Sequence, residues 1–182
     1  MAISSIFEHI RAHLRVDGPG LLPGGDSLPD DGFTPDARRM APGAADSLTN
    51  QPVFLQPRVE DVSGIVEALV ELSRRPTARY RRQLEALVRG RRCIRLIDPL
   101  LLAVRDDERI HQTTLYPELR RLLVDTHWRE VAKLCIALLG LYRQESDVDL
   151  LRTFGRHEEF TLFAAVALGN ILVDPVPLWL EL

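Results

Sequence analysis

His127 and His157 are the residues whose setting first suggests chemistry. Each lies between two apolar runs and is followed by acids, as His127-Trp128-Arg129-Glu130 and His157-Glu158-Glu159. Histidine titrates near neutral pH and a nearby carboxylate can orient it, so two such turns along one edge would form an acid–base cluster. The simpler reading is structural: acids in the first turn of a helix complement its dipole. An enzyme working through these turns is therefore an alternative and not the leading reading. His9 and His13 stand four apart, which puts both on one helix face. The sequence HIRAH, however, lacks the glutamate of a HExxH metal site and brings no third ligand. Cys93 and Cys135 are isolated thiols without CxxC spacing. Asp26, Asp30, Asp31 and Asp36 do not follow a calcium-loop pattern. There is no Walker loop, no GxSxG and no Cys–His signature. No catalytic residue, metal or cofactor is expected.

Charge is distributed more tellingly. Nine arginines and a single acid, Glu85, fall between Arg74 and Arg95. On a helical wheel Arg79, Arg82 and Arg89 lie opposite Tyr80, Leu84 and Leu87, with Arg75 near them, so the arginines form a ridge. Guanidinium forks bind carboxylates and phosphates in a bidentate manner. The ridge is then a solvated face, a partner for the acidic loop of the same chain, a grip on an acidic protein, or a grip on a nucleic-acid backbone. The net charge of -3 and the lack of interleaved aromatics make nucleic acid the alternative rather than the first choice.

The elements that must position these groups are helical. At 182 residues the chain is long enough for one domain with an appendage. Ile3, Ile6, Phe7, Ile10 and Leu14 predict a helix over 3–15. From Asp17 to Asn50 glycine and proline recur too densely for regular structure. This arm carries Asp17, Asp26, Asp30, Asp31, Asp36 and Asp46 against Arg38 and Arg39, and either lies extended on the body or serves as a linker. Further helices are expected over 59–72 and 77–88, from Asp98-Pro99 onward, and over 117–124, 128–142, 147–154 and 159–172. The segment from His111 to Tyr116 reads as a connector. Residues 1–50 thus form a helix and an acidic arm, and 51–182 a helical body. Its C-terminal tail, with Leu178, Trp179, Leu180 and Leu182, caps the last helix. The apolar run from Phe160 to Val173 is too short to span a membrane, and the N-terminus lacks a signal-peptide pattern. A soluble, cytoplasmic, all-α protein is expected.

Residues 117–173 also repeat themselves. An offset of thirty brings His127 onto His157, Cys135 onto Ala165, and Ile136-Ala137-Leu138 onto Val166-Ala167-Leu168. Helix pairs repeating at such a period stack, each gaining its core from its neighbours. The stretch resembles HEAT-type α-helical repeats, and the resemblance implies a short solenoid that acts as an interaction scaffold. At the level of fold, a small helical-repeat protein with segregated charge resembles bacterial immunity proteins. That implies an antitoxin-type module that binds a toxin and occludes its active site. The contact surface would then comprise the ridge (Arg75, Arg79, Arg82 and Arg89) or the acidic arm (Asp30, Asp31 and Asp36). Tyr116, Trp128 and Trp179 would be its anchors, and His127, His157 and Glu158 would lie at its edge.

Overall fold

The computed structural model describes residues 4–33 and 60–182. Among these residues the regular structure is helical, with only an isolated antiparallel bridge between Leu14 and Leu21. The helices are α1 (Ile6–Ala12), α2 (Ser63–Arg74), α3 (Ala78–Val88), α4 (Cys93–Asp106), α5 (Gln112–Asp125), α6 (Arg129–Tyr142), α7 (Val148–Gly155), α8 (Glu158–Ile171) and α9 (Val176–Trp179). The all-α expectation holds. No helix among the described residues is long and apolar enough to cross a membrane.

The fold is built around α6. After its first turn the sequence VAKLCIALLGLY is apolar on nearly every side, and such a helix needs cover all round. α5 and α8 pack along it, and α4 and α3 close further sides. Val131, Leu134, Cys135 and Leu138 have no exposed surface, and burial raises the pKa of the Cys135 thiol. Cys135 is a core filler, as its apolar surroundings suggest. α5 pairs with α6 and α7 pairs with α8, and the two pairs meet through α6 and α8. The meeting is close at Gly140. A Cβ there would stand 3.0 Å from Ala167 Cα and 3.1 Å from Ala167 Cβ.

α1 lies against α5 and α7, with Ile6 and Ile10 fully buried. Its start is local and legible: Ser5 and Glu8 form a reciprocal capping box. It ends at Ala12, well short of residue 15, where the His13 ring turns back to the His9 carbonyl at 2.8 Å.

Two helix starts differ from those expected at Asp98-Pro99 and Tyr116-Pro117. α4 begins at Cys93 and α5 at Gln112, and both prolines lie inside their helices. Each proline removes one N–H from the ladder. The carbonyls thereby freed belong to Arg95 and Thr113, both on exposed residues, where water can satisfy them. Most of the supposed connector from His111 is therefore the first turns of α5. The C-terminal tail lies back on the body. The Trp179 indole N–H donates to the Ala165 carbonyl at 3.0 Å, and Leu182 packs on Gly155.

Candidate functional site

α3 forms because Leu84 and Val88 bury on one side while arginines fill the other. Arg75, Arg79, Arg82 and Arg89 are all exposed. None of the four is in an ion pair with a described residue. Their neighbours differ. Arg81 pairs with Glu118 and Arg91 with Glu60. Arg89 lies over the Trp128 ring, 5.2 Å from its centroid, a cation–π arrangement that joins the end of the ridge to the start of α6. Trp128 is half-buried. Arg89 and Trp128 therefore adjoin at the C-terminal end of the ridge.

Among the described residues of the acidic arm, none pairs with this ridge. Asp30 is buried and meets Arg129 instead. Its Oδ2 accepts the Arg129 main-chain N–H at 2.8 Å, and its Oδ1 accepts Nε at 3.0 Å and Nη2 at 2.9 Å. Asp31 adds a second carboxylate to the same guanidinium. Burial works against the Arg129 charge, but Asp30, Asp31 and Glu159 more than restore it, so its pKa rises above the ordinary value. Asp30 thus caps α6 and fastens the arm to it. His9 Nε2 lies 3.3 Å from the Gly25 carbonyl, and Arg156 donates to the Gly18 carbonyl. The His9–His13 pair, with ring centroids 4.5 Å apart, therefore helps seat the arm. Asp36 lies outside the described residues.

Beneath the arm is a charged network that sequence reasoning assembled differently. Lys133, the only lysine of the chain, has no exposed surface. Its Nζ donates to Glu159 at 2.6 Å and to Glu130 at 3.2 Å. Glu130 also accepts the Cys93 main-chain N–H at 2.6 Å, which starts α4 from a residue 37 positions away. Buried charges survive only when paired in this way. Of the acids expected to serve the histidines, Glu130 and Glu159 thus serve Lys133, Arg129 and the start of α4.

The two histidines share no hydrogen bond or ring contact. His127 Nδ1 lies 2.9 Å from the Ser4 carbonyl. His157 is buried and caps α8, its Nδ1 accepting the Glu159 N–H at 3.1 Å. Burial pushes its pKa below 6.5, Glu159 and Asp26 pull it back, and Arg129 pushes it down again. Its Nε2 meets no partner in hydrogen-bond geometry, although the Asp26 backbone is near enough to act on it. Glu158 is exposed at the start of α8. Tyr116 is half-buried, lies tilted against Tyr142 with ring centroids 5.2 Å apart, and donates to Asp147 at 3.1 Å. No group of three or more metal-ligating side chains assembles among the described residues.

The arrangement offers one exposed cationic surface with an aromatic at its end, and one buried network whose members are committed to each other. The chain matches no family model, no curated protein and no solved structure.

Proposed function

We propose that this chain is a non-enzymatic protein-binding module of the immunity or antitoxin type, which neutralises a toxin by covering its active site. The binding face is the arginine row on and before α3, with Trp128 at its end. One observation carries the reading. Arg75, Arg79 and Arg82 are exposed and outside any ion pair with the described residues. By contrast Arg81, Arg91, Arg109, Arg120 and Arg129 all have carboxylate partners. Open guanidinium forks suit carboxylates on a partner surface and speed encounter with an acidic one. Tryptophan and arginine are also the residue types that dominate interface energetics. Lys133, Glu130 and Glu159 are held in pairs inside the body, which favours binding over turnover. The stacking of α5/α6 on α7/α8, together with the thirty-residue offset, supports a short HEAT-like array as the scaffold.

The full chain, used as bait in its native host, is expected to capture one acidic protein. The triple reversal R75E/R79E/R82E should weaken that capture at least ~100-fold, about 3 kcal/mol, and the wild-type association rate should fall with added salt. An unchanged affinity in the reversed variant would sink the arginine face as the contact. Capture that disappears on nuclease treatment would favour the nucleic-acid alternative.

A further inference from the structure

The described part of the acidic arm is lightly seated on the body. Between residues 14 and 32 only Gly25, Leu28 and Asp30 are buried, and Leu28 is the one large apolar side chain among them. Its regular structure is a single turn, Asp31–Phe33. What holds it is polar. Arg129 takes Asp30 and Asp31, Arg156 takes the Gly18 carbonyl, His9 lies on the Gly25 carbonyl, and the Leu22 N–H reaches the His13 carbonyl at 2.7 Å. A segment with so little apolar burial opens at a lower free energy than the helices under it.

His157 sits where this segment meets the body, 2% exposed and close to the Asp26 backbone. Geometry fixes its proton. Nδ1 accepts the Glu159 N–H at 3.1 Å, so the single proton of the neutral ring is on Nε2. A second proton goes to Nδ1, where it meets the Glu159 N–H head on. The ring then loses its bond to α8, and its Nε2 already lacks a partner in hydrogen-bond geometry. A charged ring does not fit this place. The other histidines near the N-terminal segment differ. His9, His13 and His127 each point a nitrogen at a carbonyl oxygen, which only accepts, so a second proton on the opposite nitrogen leaves those bonds intact.

We infer that residues 14–33 are an acid-released strap: a second proton on His157 unseats them from the starts of α6 and α8 while the helical body stays folded. The charged groups facing the ring come from three elements. Glu159 of α8 and Asp26 of the arm attract the proton, and Arg129 of α6 repels it. Glu159 is already shared between Lys133 at 2.6 Å and Arg129 at 3.7 Å. Asp26 is exposed, where water and salt screen it. Arg156, next along the chain, is turned to the Gly18 carbonyl. Burial is the largest influence and keeps the ring neutral while the arm is seated. Lifting the arm lets water reach the ring, which then takes a proton at the ordinary value of 6.5. Opening therefore grows as pH falls below that value. It also withdraws Asp30 from Arg129, so the start of α6 presents an open guanidinium to solvent. The device does not depend on the arginine face or on any partner.

The test is amide hydrogen exchange on the full chain, read by NMR at about pH 7.5 and about pH 5.5, a window above ordinary carboxylate titration. Each rate is divided by the intrinsic chemical rate at that pH. The reporters are the Leu22 and Arg129 amides, whose acceptors lie across the seat on His13 and Asp30. Their opening should rise at least about threefold at the lower pH, while the Cys135 and Leu138 amides inside α6 keep their protection. His157→Asn, which can cap α8 without titrating, should abolish the rise. A second reading needs no variant: ring nitrogen shifts should show the Nε2–H form of His157 at the higher pH. Leu22 and Arg129 amides that exchange alike at both pH values overturn the inference. So does an equal rise within α6, which would mean that the whole body loosens, or an Nδ1–H ring at the higher pH. An undiminished rise in H157N would move the trigger to the stacked His9 and His13 rings and overturn it as well.

Discussion

Asp30 takes the main-chain N–H of Arg129 on one carboxylate oxygen and the guanidinium of the same residue on the other. A single arm residue thus caps the central helix and neutralises its first side chain, across 99 positions of sequence. The arm is fixed at the point where α6 begins, through Asp30, the buried acid among its described residues.

Asp30→Asn keeps the shape and removes the charge. The two side chains are 8% and 12% exposed, so Arg129 would stay largely buried and lose its buried carboxylate partner, keeping only Asp31 and Glu159. A loss of about 2–3 kcal/mol in urea unfolding is expected, somewhat under the cost of breaking a fully buried pair. The double variant D30N/R129Q should lose less than the sum of the two single variants, with a coupling of about 1–3 kcal/mol. A loss below ~0.5 kcal/mol, the level of an ordinary surface change, would mean that the arm is not held here.

His157 makes stability depend on pH. Its folded pKa lies below 6.5, so the folded ring stays neutral while the unfolded ring takes a proton. Its contribution is whole above 6.5 and declines as pH falls from there toward the folded value. Urea midpoints measured between pH 8 and pH 5 should trace that decline. His157→Asn, which can still cap α8 but does not titrate, should flatten it. Asp147 acts in the opposite sense and at lower pH. Burial raises its pKa above 3.8 against the pull of Tyr116 and Arg120, so protonation favours the folded state there. A slope between pH 6.5 and pH 5 that is identical in both proteins would remove His157 as its source.

Reversing the ridge should change binding without changing folding. Arg75, Arg79 and Arg82 are exposed and pair with no described residue, so R75E, R79E and R82E should each shift unfolding by no more than about 0.5 kcal/mol. A larger loss would show that the ridge helps hold the body together.

Gly140→Val drives a Cβ and two methyl groups into the α6–α8 crossing, where a Cβ alone would stand 3.0 Å from Ala167 Cα. The backbone of α8 cannot swing aside as a side-chain tip could. A cost of about 1–3 kcal/mol is expected by thermal or chemical unfolding. A variant as stable as the wild type would mean that the two helices separate more freely than their packing implies.

Much of the helical body was legible because its signals are local. Apolar runs marked α6 and α8, and the stripe of Ile6, Phe7 and Ile10 marked α1. The starts of α4 and α5 were not legible. Asp-Pro and Tyr-Pro are good local beginnings, but here burial of Leu96, Leu100 and Leu115 outweighs one missing hydrogen bond in each helix. The N–H that opens α4 is satisfied by Glu130, and the one that opens α6 by Asp30. No window of neighbouring residues contains those partners. The ridge was legible for the same local reason, since a wheel drawn on α3 already separates its arginines from its leucines. The ion-pair network was not: Lys133 sits mid-helix among apolar residues, and only the meeting of α6 with α8 brings Glu159 to it.

The burial of Lys133 has a practical consequence. The folded chain offers no lysine side chain to reagents or modifying enzymes that attack primary amines, so acylation of a lysine occurs only once α6 and α8 have parted. The rate at which Lys133 becomes labelled is therefore a built-in clock for opening of the core, readable by mass spectrometry without any engineered probe.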